Sequence, residues 1–176
     1  NAGWKLQSMW RTIYYLPTLV PAVASAVLWI WIFNPDSGLF NAILRSVGLP
    51  ASNWIYSEST AVPSLIIMST WGFGNAMVIF LAGLQGVPRQ LYEAVALDGG
   101  SAWTKFRHVT LPFMTPVIFY NLVTGVIGTF QVFNQAYIMT SGGPNNATLF
   151  YIYYLYTQAF TDSRMGYASA LAWVLF

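Results

Sequence analysis

The stretch YEAVALDGGSAWTKFRHVTLP, from Tyr92 to Pro112, concentrates polar side chains in a chain that otherwise carries little charge. Pro88 precedes it and favours a helix start, because its missing N–H is one that the first helical turn leaves unpaired anyway. Gly99 and Gly100 favour a helix stop, since glycine adopts the left-handed conformation without Cβ strain. Ser101 can cap the next helix. The stretch therefore predicts a short helix, a sharp turn and a second helix, which project into water.

The composition of the whole chain predicts a lipid environment. Hydrophobic residues make up 56% of the 176 residues, charged residues make up 7%, and the mean hydropathy is +0.53. In a soluble domain about a quarter of the residues are charged. The net charge of +2 is too small and too scattered to indicate nucleic-acid binding. Cysteine is absent from the sequence, which excludes disulfides, thiolate metal sites and cysteine nucleophiles.

Three gaps between charged residues are long enough for a transmembrane helix, which needs about 20 mostly apolar residues. They predict spans over about 12–34, 62–87 and 109–140. A fourth span, about 165–176, has only about half the required length. We therefore expect residues 1–176 to form one all-α, polytopic transmembrane domain, a fragment of a longer protein with three full spans and part of a fourth.

The segment between the third and fourth spans combines a loop with a tyrosine-rich stretch. Ser141–Thr148, SGGPNNAT, contains the glycines, proline and asparagines that are typical of a loop. The next residues, LFYIYYLYTQAFTD, are too few for a standard span and rich in tyrosine. They predict an interfacial or re-entrant helix.

Lysine and arginine are unevenly distributed between the connecting segments, and in membrane proteins they concentrate in cytoplasmic loops. The loop Asn34–Ala61 has a single basic residue, Arg45, and Ser141–Thr148 has none. The segments before the first span and between the second and third spans contain Lys5, Arg11, Arg89, Lys105 and Arg107. Residues 88–108 are therefore predicted to face the cytoplasm.

The predicted cytoplasmic segment and the residues after it contain a pattern of fixed spacing: Glu93-Ala94-Val95, Asp98-Gly99, Phe106, Leu111-Pro112 and Pro116. This pattern resembles the EAA loop of the permease subunits of binding-protein-dependent ABC importers, and more narrowly that of sugar permeases of the maltose and glycerol-phosphate type. The stretches RTIYYLPTLVPAVASAVLWIWIFNPDSGLFN, TSGGPNNAT and GYASALAW are also similar to that family. Val95 and Gly100 stand where the family usually has alanine.

This resemblance implies a permease of the ABC importer type, in the inner or cytoplasmic membrane of a bacterium or archaeon. Its partners would be a cytoplasmic ATPase dimer, a second permease, an extracytoplasmic solute-binding protein, a carbohydrate substrate and membrane lipid. ATP and Mg²⁺ would be bound by the ATPase, so we expect no cofactor in this chain. The sequence has no phosphate-binding G-x-x-x-x-G-K-[ST] motif. The positions that the resemblance assigns to ATPase coupling are Tyr92, Glu93, Ala94, Asp98, Gly99 and Gly100.

Polar residues at mid-membrane depth are costly and usually face a cavity or another helix. In the third span, polar and small residues recur at a spacing of three and four and predict one helical face: Asn121, Thr124, Gly128, Gln131 and Gln135. The residues predicted to line a substrate path on the second and third spans are Trp71, Gly72, Asn75, Gly128, Thr129, Gln131 and Asn134. The same residue types also hold transmembrane helices together, so helix packing is the alternative interpretation.

Other classes of function receive less support from the sequence. No Ser-His-Asp set or carboxylate pair indicates catalysis, and His108 has no second metal ligand nearby, so we expect no enzyme activity and no metal site. An ion-coupled transporter or channel is an alternative, but coupled transporters usually place ionisable groups inside their spans. A membrane assembly subunit without transport activity is another, but such a subunit would not require a polar face at mid-membrane depth.

Overall fold

The computed structural model describes residues 7–176 and consists of helices and connecting turns, with no strand in that range. Lys5, which entered the orientation argument, lies outside the described residues. The α-helices are α1 Gln7–Tyr15, α2 Ala22–Ile32, α3 Leu39–Ser46, α4 Glu58–Trp71, α5 Gly74–Gln85, α6 Arg89–Leu97, α7 Ala102–Lys105, α8 Leu111–Phe130, α9 Tyr151–Tyr156 and α10 Met165–Leu175. Turns of 3₁₀-helix cover Leu16–Leu19 and Trp54–Tyr56, and π-helical turns cover Phe106–Thr110, Ala136–Thr140 and Thr157–Thr161.

Within the described part of the chain, one helix is long and apolar enough to cross a membrane by itself. It is Ala102–Phe130, 29 residues long, formed by α7, the π-helical turn and α8. The number rises to three if each of two interrupted pairs counts as one span, namely Ser8–Leu19 with α2 and α4 with α5. The long helix begins earlier than the predicted range 109–140 and ends before residue 140, because the helix is interrupted at residues 131–133.

The described residues form two compact units, one of residues 7–18 and 73–127 and one of residues 19–72 and 128–176. In the first unit, α5 packs against α8 at Gly83. A Cβ atom at this position would lie 2.8 Å from Val117 Cγ2 and 3.0 Å from Met114 Sδ. Gly83 therefore allows a close approach of two helices, which is the common use of small residues in membrane proteins.

An aromatic and aliphatic core lies in the second unit. Trp29 on α2 contacts Phe40 and Trp71 edge-on, with ring centroids 5.9 Å apart in both pairs. Such edge-to-face pairs stabilise a core beyond the area that they bury. The buried side chains of this cluster are Ala26, Trp29, Phe33, Ile55, Leu65, Met68 and Met139.

The connection between α2 and α4 is organised by one buried side chain, Asn41 on α3, which is 0% exposed. Its Nδ2 donates to the carbonyl oxygens of Pro35 and Ser52, at 2.8 Å in both cases. Its Oδ1 accepts from the Ser52 backbone N–H at 3.0 Å and from Trp54 Nε1 at 2.8 Å. One amide therefore satisfies four polar groups from three parts of the connection.

The predicted loop Ser141–Thr148 is confirmed, and it is held together by the buried Thr148. The hydroxyl of Thr148 donates to the Gly143 carbonyl at 2.8 Å and lies 2.6 Å from the hydroxyl of Thr140. Asn145 Nδ2 donates to Glu58 Oε2 at 3.2 Å. The loop is thus tied both to the helix before it and to the start of α4.

Candidate functional site

The predicted helix stop at the glycine pair is present in the structure. The φ angle of Gly99 is +74°. The Gly99 N–H donates to the Ala96 carbonyl at 3.1 Å, and the Gly100 N–H donates to the Val95 carbonyl at 2.8 Å. These two bonds are the pair that defines a Schellman motif, which requires a left-handed residue immediately after the helix. We call residues 88–108, which contain α6, this turn and the start of the next helix, the elbow.

Ser101 caps the helix that follows, as predicted. Its Oγ accepts a hydrogen bond from the Thr104 N–H at 3.3 Å. The prediction of a separate second helix needs a correction, because this helix does not end before the membrane-length segment. It continues through the π-helical turn Phe106–Thr110 into α8. A displacement of the elbow can therefore be transmitted along one continuous helix.

Tyr92 joins the two arms of the elbow, which are α6 and the helix that begins at Ala102. Its hydroxyl lies 2.9 Å from Thr110 Oγ1, within hydrogen-bonding distance. Thr110 Oγ1 in turn lies 3.4 Å from the Lys105 carbonyl oxygen. Tyr92 is half-buried, whereas the other predicted coupling residues on α6 and at the turn, Glu93, Ala94, Asp98 and Gly99, are exposed. Tyr92 is thus placed to fix the angle between α6 and the long helix, and the exposed residues are available to a partner.

Two exposed apolar side chains at the elbow were missed by the sequence analysis. Leu97 is 90% exposed and Trp103 is 67% exposed, and Trp103 stacks on Phe106 with ring centroids 5.5 Å apart. Large apolar residues at such exposure are costly in water unless a partner covers them. The sequence carried a usable signal for Leu97, because a leucine directly before Asp98-Gly99 lies next to the glycine turn and off the packed face of α6.

The two departures from the family pattern, Val95 and Gly100, lie against each other. A Cβ atom at Gly100 would clash with Val95 Cγ1 and would lie 2.8 Å from the Val95 carbonyl oxygen. The larger side chain at position 95 thus occupies the space that an alanine side chain at position 100 would need. Gly100 is half-buried at this contact, so its place is in the packing of the turn.

The seven predicted path residues lie within three residues of an interruption in a helix. Gly72 lies in the break between α4 and α5, with Trp71 before it and Asn75 after it. The other four, Gly128, Thr129, Gln131 and Asn134, border or lie in the interruption at residues 131–133. Irregular backbone at membrane depth is tolerated only where protein covers it or where it lines an aqueous cavity.

The surroundings of the seven predicted path residues differ. Trp71 is half-buried and packs on Trp29 in the core of the second unit, which favours a structural contribution. Gly128 is exposed, and a Cβ atom there would meet no other atom within 4 Å, so no helix contact explains it among the described residues. Gly72, Asn75, Thr129, Gln131 and Asn134 are also exposed.

The predicted single polar face of the third span is wrong. The α-helix ends at Phe130, so Gln131 and Gln135 do not continue the face of Asn121 and Thr124. A spacing of three and four places residues on one side only while the helix is continuous. Asn121 Nδ2 donates to the Val117 carbonyl at 2.9 Å, and Thr124 Oγ1 donates to the Tyr120 carbonyl at 2.8 Å. Both side chains therefore donate hydrogen bonds to their own helix.

His108 lies at the end of the elbow and is exposed, with Nδ1 3.2 Å from the Thr104 carbonyl oxygen. Among residues 7–176, no group of three or more His, Cys, Asp or Glu side chains could hold a metal ion. The distinctive feature of the described chain is thus the elbow, which has both polar and apolar exposed side chains and is joined to a long apolar helix.

Comparisons with known proteins agree with this architecture. The profile of the family described as "Binding-protein-dependent transport system inner membrane component" matches residues 1–176. The chain is 42% identical over 179 residues to the probable ABC transporter permease protein YesP of Bacillus subtilis, covering 99% of this chain and 58% of that protein. It is 34% identical over 174 residues to the arabinooligosaccharides transport system permease protein AraP of the same species, covering 97% of this chain and 56% of AraP.

A solved structure shares the fold. It is the crystal structure of a bacterial alginate ABC transporter in complex with an alginate pentasaccharide-bound periplasmic protein, with a TM-score of 0.83 and 24% sequence identity. The match covers 96% of this chain and 59% of the solved chain. The chain therefore spans less than two thirds of the length of the relatives that it matches.

Proposed function

Because this chain belongs to the family of binding-protein-dependent transport system inner membrane components, we propose that it is part of the permease subunit of an ATP-driven carbohydrate importer. In this proposal it crosses the inner membrane of a bacterium or archaeon several times and forms part of the translocation path. The observation that carries the proposal is the elbow, an exposed turn with uncovered apolar side chains that continues directly into the 29-residue helix Ala102–Phe130.

The elbow would dock on a separate cytoplasmic ATPase dimer, which binds and hydrolyses ATP with Mg²⁺. Leu97 and Trp103 would supply the apolar contact, and the charges of Glu93 and Asp98 would set the orientation of docking. The hydrogen bond between Tyr92 and Thr110 keeps the two arms of the elbow together. A movement of the ATPase subunits would then displace the long helix. This displacement would switch the permease between inward-open and outward-open states.

The proposed substrate is a carbohydrate, because the relative AraP is named for arabinooligosaccharide transport and the elbow resembles that of sugar permeases. Sugar hydroxyl groups need hydrogen-bonding partners when they leave water. The exposed amides Asn75, Gln131 and Asn134 lie at helix interruptions and offer such partners, and Thr129 borders the second of these interruptions. Interrupted helices are where transporters commonly place their substrates. Gly72 and Gly128 would leave room for the sugar ring, and Trp71 would border it.

The first prediction concerns the whole assembly. The full-length permease, reconstituted in liposomes with its second permease, its ATPase dimer and its solute-binding protein, is expected to hydrolyse ATP faster when the binding protein carries a carbohydrate. Candidate sugars are tested one at a time, with the unloaded binding protein as the control. Stimulation by a non-carbohydrate ligand alone would refute the substrate class, and transport without the ATPase would refute the importer itself.

The second prediction concerns the substrate path. Replacing Asn134 by leucine is expected to lower transport at limiting substrate roughly tenfold, because one hydrogen bond to a sugar hydroxyl contributes about 1–1.5 kcal/mol. Asn121→Leu is the matched control, because the Asn121 amide is bonded to its own helix. If both variants lose the same amount of transport, or neither loses any, Asn134 does not contact the substrate.

A further inference from the structure

A groove of about 420 Å³ lies between α1 and α5 in the first unit. One wall is apolar and formed by α5 residues such as Met77, Val78 and Leu81. The other wall is formed by α1 and contributes Arg11 and Tyr15. Its volume is within the range of about 300–1,000 Å³ that is usual for small-molecule sites. The groove thus combines one cationic side chain with a hydrocarbon surface.

The charge of Arg11 is not balanced by the described residues. Arg11 is half-buried, and its Nε is buried without a hydrogen-bond partner. Neither α1 nor α5 contains an acidic residue, and the first acidic residue of the sequence is Asp36. A cation that is partly removed from water is unfavourable unless an anion or several hydrogen bonds accompany it. The groove therefore favours an anionic ligand.

The position of the groove favours a lipid. Helix α1 exposes several large apolar side chains, among them Trp10, Ile13 and Tyr14, as expected of a helix that lies in the membrane interface. Gln85 lines the groove at the end of α5, only three residues before the elbow begins. The groove is therefore on the side of the membrane that the distribution of basic residues assigns to the cytoplasm. The cytoplasmic leaflet is rich in anionic lipids, and basic pockets between helices on this side bind their headgroups.

We propose that the groove between α1 and α5 binds an anionic phospholipid, with its phosphate at Arg11 and its upper acyl chain along Met77, Val78 and Leu81. The proposal rests on the placement of the family in the inner membrane and on the predicted orientation. It does not depend on the carbohydrate substrate. A bound lipid would fill the space between α1 and α5, and α5 also packs on the long helix at Gly83, so the lipid would stabilise the helices next to the elbow.

The test uses the full-length permease in complex with its partner subunits, placed in nanodiscs of equal parts phosphatidylglycerol and phosphatidylcholine. Native mass spectrometry after gentle delipidation counts the lipids that remain bound. The wild-type complex is expected to retain phosphatidylglycerol in preference to phosphatidylcholine. Arg11→Gln is expected to reduce that preference roughly fivefold, since one arginine near the membrane surface contributes about that factor to anionic lipid binding. Arg11→Lys is expected to keep most of it.

Two further variants distinguish binding at this specific site from a general attraction of anionic lipids to basic residues. Arg107→Gln removes an exposed arginine from the same unit without changing the groove. Because Arg107 lies in the elbow, only variant complexes whose subunit composition is intact in the same mass spectra are compared, and their lipid retention is expected to be unchanged. Ala82→Phe fills the groove and leaves the charge in place, and it is expected to expel the lipid. The proposal is refuted if the wild-type complex shows no preference for phosphatidylglycerol, for example because another segment of protein covers the groove. Equal losses in Arg11→Gln and Arg107→Gln also refute it, whatever sugar the importer carries.

Discussion

Replacing Gly99 by proline is expected to uncouple ATP hydrolysis from transport. Proline fixes φ near −65°, whereas the φ angle of Gly99 is +74°. Proline also lacks the N–H that donates to the Ala96 carbonyl in the Schellman motif. The turn between α6 and the long helix cannot keep its geometry, and the exposed surface of the elbow is redirected. We expect the amount of substrate transported per ATP hydrolysed to fall roughly tenfold or more in reconstituted proteoliposomes, an effect in the range of allosteric coupling energies.

Gly48 offers a closely matched control for this substitution. It follows α3 with a φ angle of +76°, its N–H donates to the Arg45 carbonyl at 3.1 Å, and a Cβ atom would meet nothing within 4 Å. Gly48→Pro therefore imposes the same backbone conflict in a connection predicted to face away from the ATPase. It is expected to lower stability without changing the ratio of transport to hydrolysis. A normal ratio in Gly99→Pro, or equal losses in both variants, would show that the elbow does not transmit the coupling.

Replacing Asn41 by leucine is expected to destabilise the connection between α2 and α4. The leucine side chain has a similar size but leaves three polar groups without their partner, namely the Ser52 carbonyl, the Ser52 N–H and Trp54 Nε1, whereas the Pro35 carbonyl still accepts from Arg45 Nη2 at 3.1 Å. Each unsatisfied buried group costs about 1–3 kcal/mol. Relaxation toward water recovers part of this cost, so we expect a net loss of about 3 kcal/mol, or a fall of about 5–10 °C in the midpoint of thermal denaturation.

The position of Trp54 adds to this effect. Its φ angle is +43°, in the left-handed region that is unfavourable for residues other than glycine. Its indole packs on Phe33 and Phe40, with ring centroids 5.4 Å and 5.3 Å away, and donates to Asn41. Loss of Asn41 therefore removes one of the contacts that hold this backbone conformation in place.

Asn53→Leu is the matched control for the Asn41 variant. Asn53 lies in the same connection and is exposed, and its side chain makes no capping hydrogen bond. It should change the denaturation midpoint by no more than about 1–2 °C, as expected for a surface substitution. If Asn41→Leu and Asn53→Leu have the same midpoint of thermal denaturation, the proposed importance of the buried amide is contradicted. Binding of the solute-binding protein can then be compared between the two variants, to ask whether this connection also affects docking.

The local structure of the elbow could be predicted because its determinants are local. Gly99 stops a helix and Ser101 caps one through atoms only a few residues away, so short-range sequence rules apply. The contact between Tyr92 and Thr110 lies beyond such rules, since it needs the two arms of the elbow to be folded together. The exposure of Leu97 likewise depends on which face of α6 is covered by the rest of the unit.

The backbone of the candidate path was predicted only in part. Counting polar residues selected Gln131 and Asn134 as candidates, and their contact with a substrate stays a prediction. The assumption of an uninterrupted helix, however, placed Gln131 and Gln135 on the face of Asn121. The helix ends at Phe130, and no glycine or proline in residues 131–133 marks this interruption in the sequence. A helix can end without a local signal when the packing of neighbouring segments stabilises another backbone conformation more than the next helical turn does.

The sequence by itself determined the environment, the helical class and the turn at Gly99, because hydrophobicity and backbone preference are properties of single residues and their near neighbours. Only the tertiary structure decided which polar groups are satisfied internally and which are not. Asn41 is fully bonded inside the protein, Asn121 is bonded to its own helix, and Arg11 lines a groove that holds no counter-ion among the described residues. The contacts of Asn41 and the groove at Arg11 join segments that are separated along the chain, and the contact of Asn121 depends on the helix that forms around it. These differences distinguish residues that stabilise the fold from residues available to a ligand.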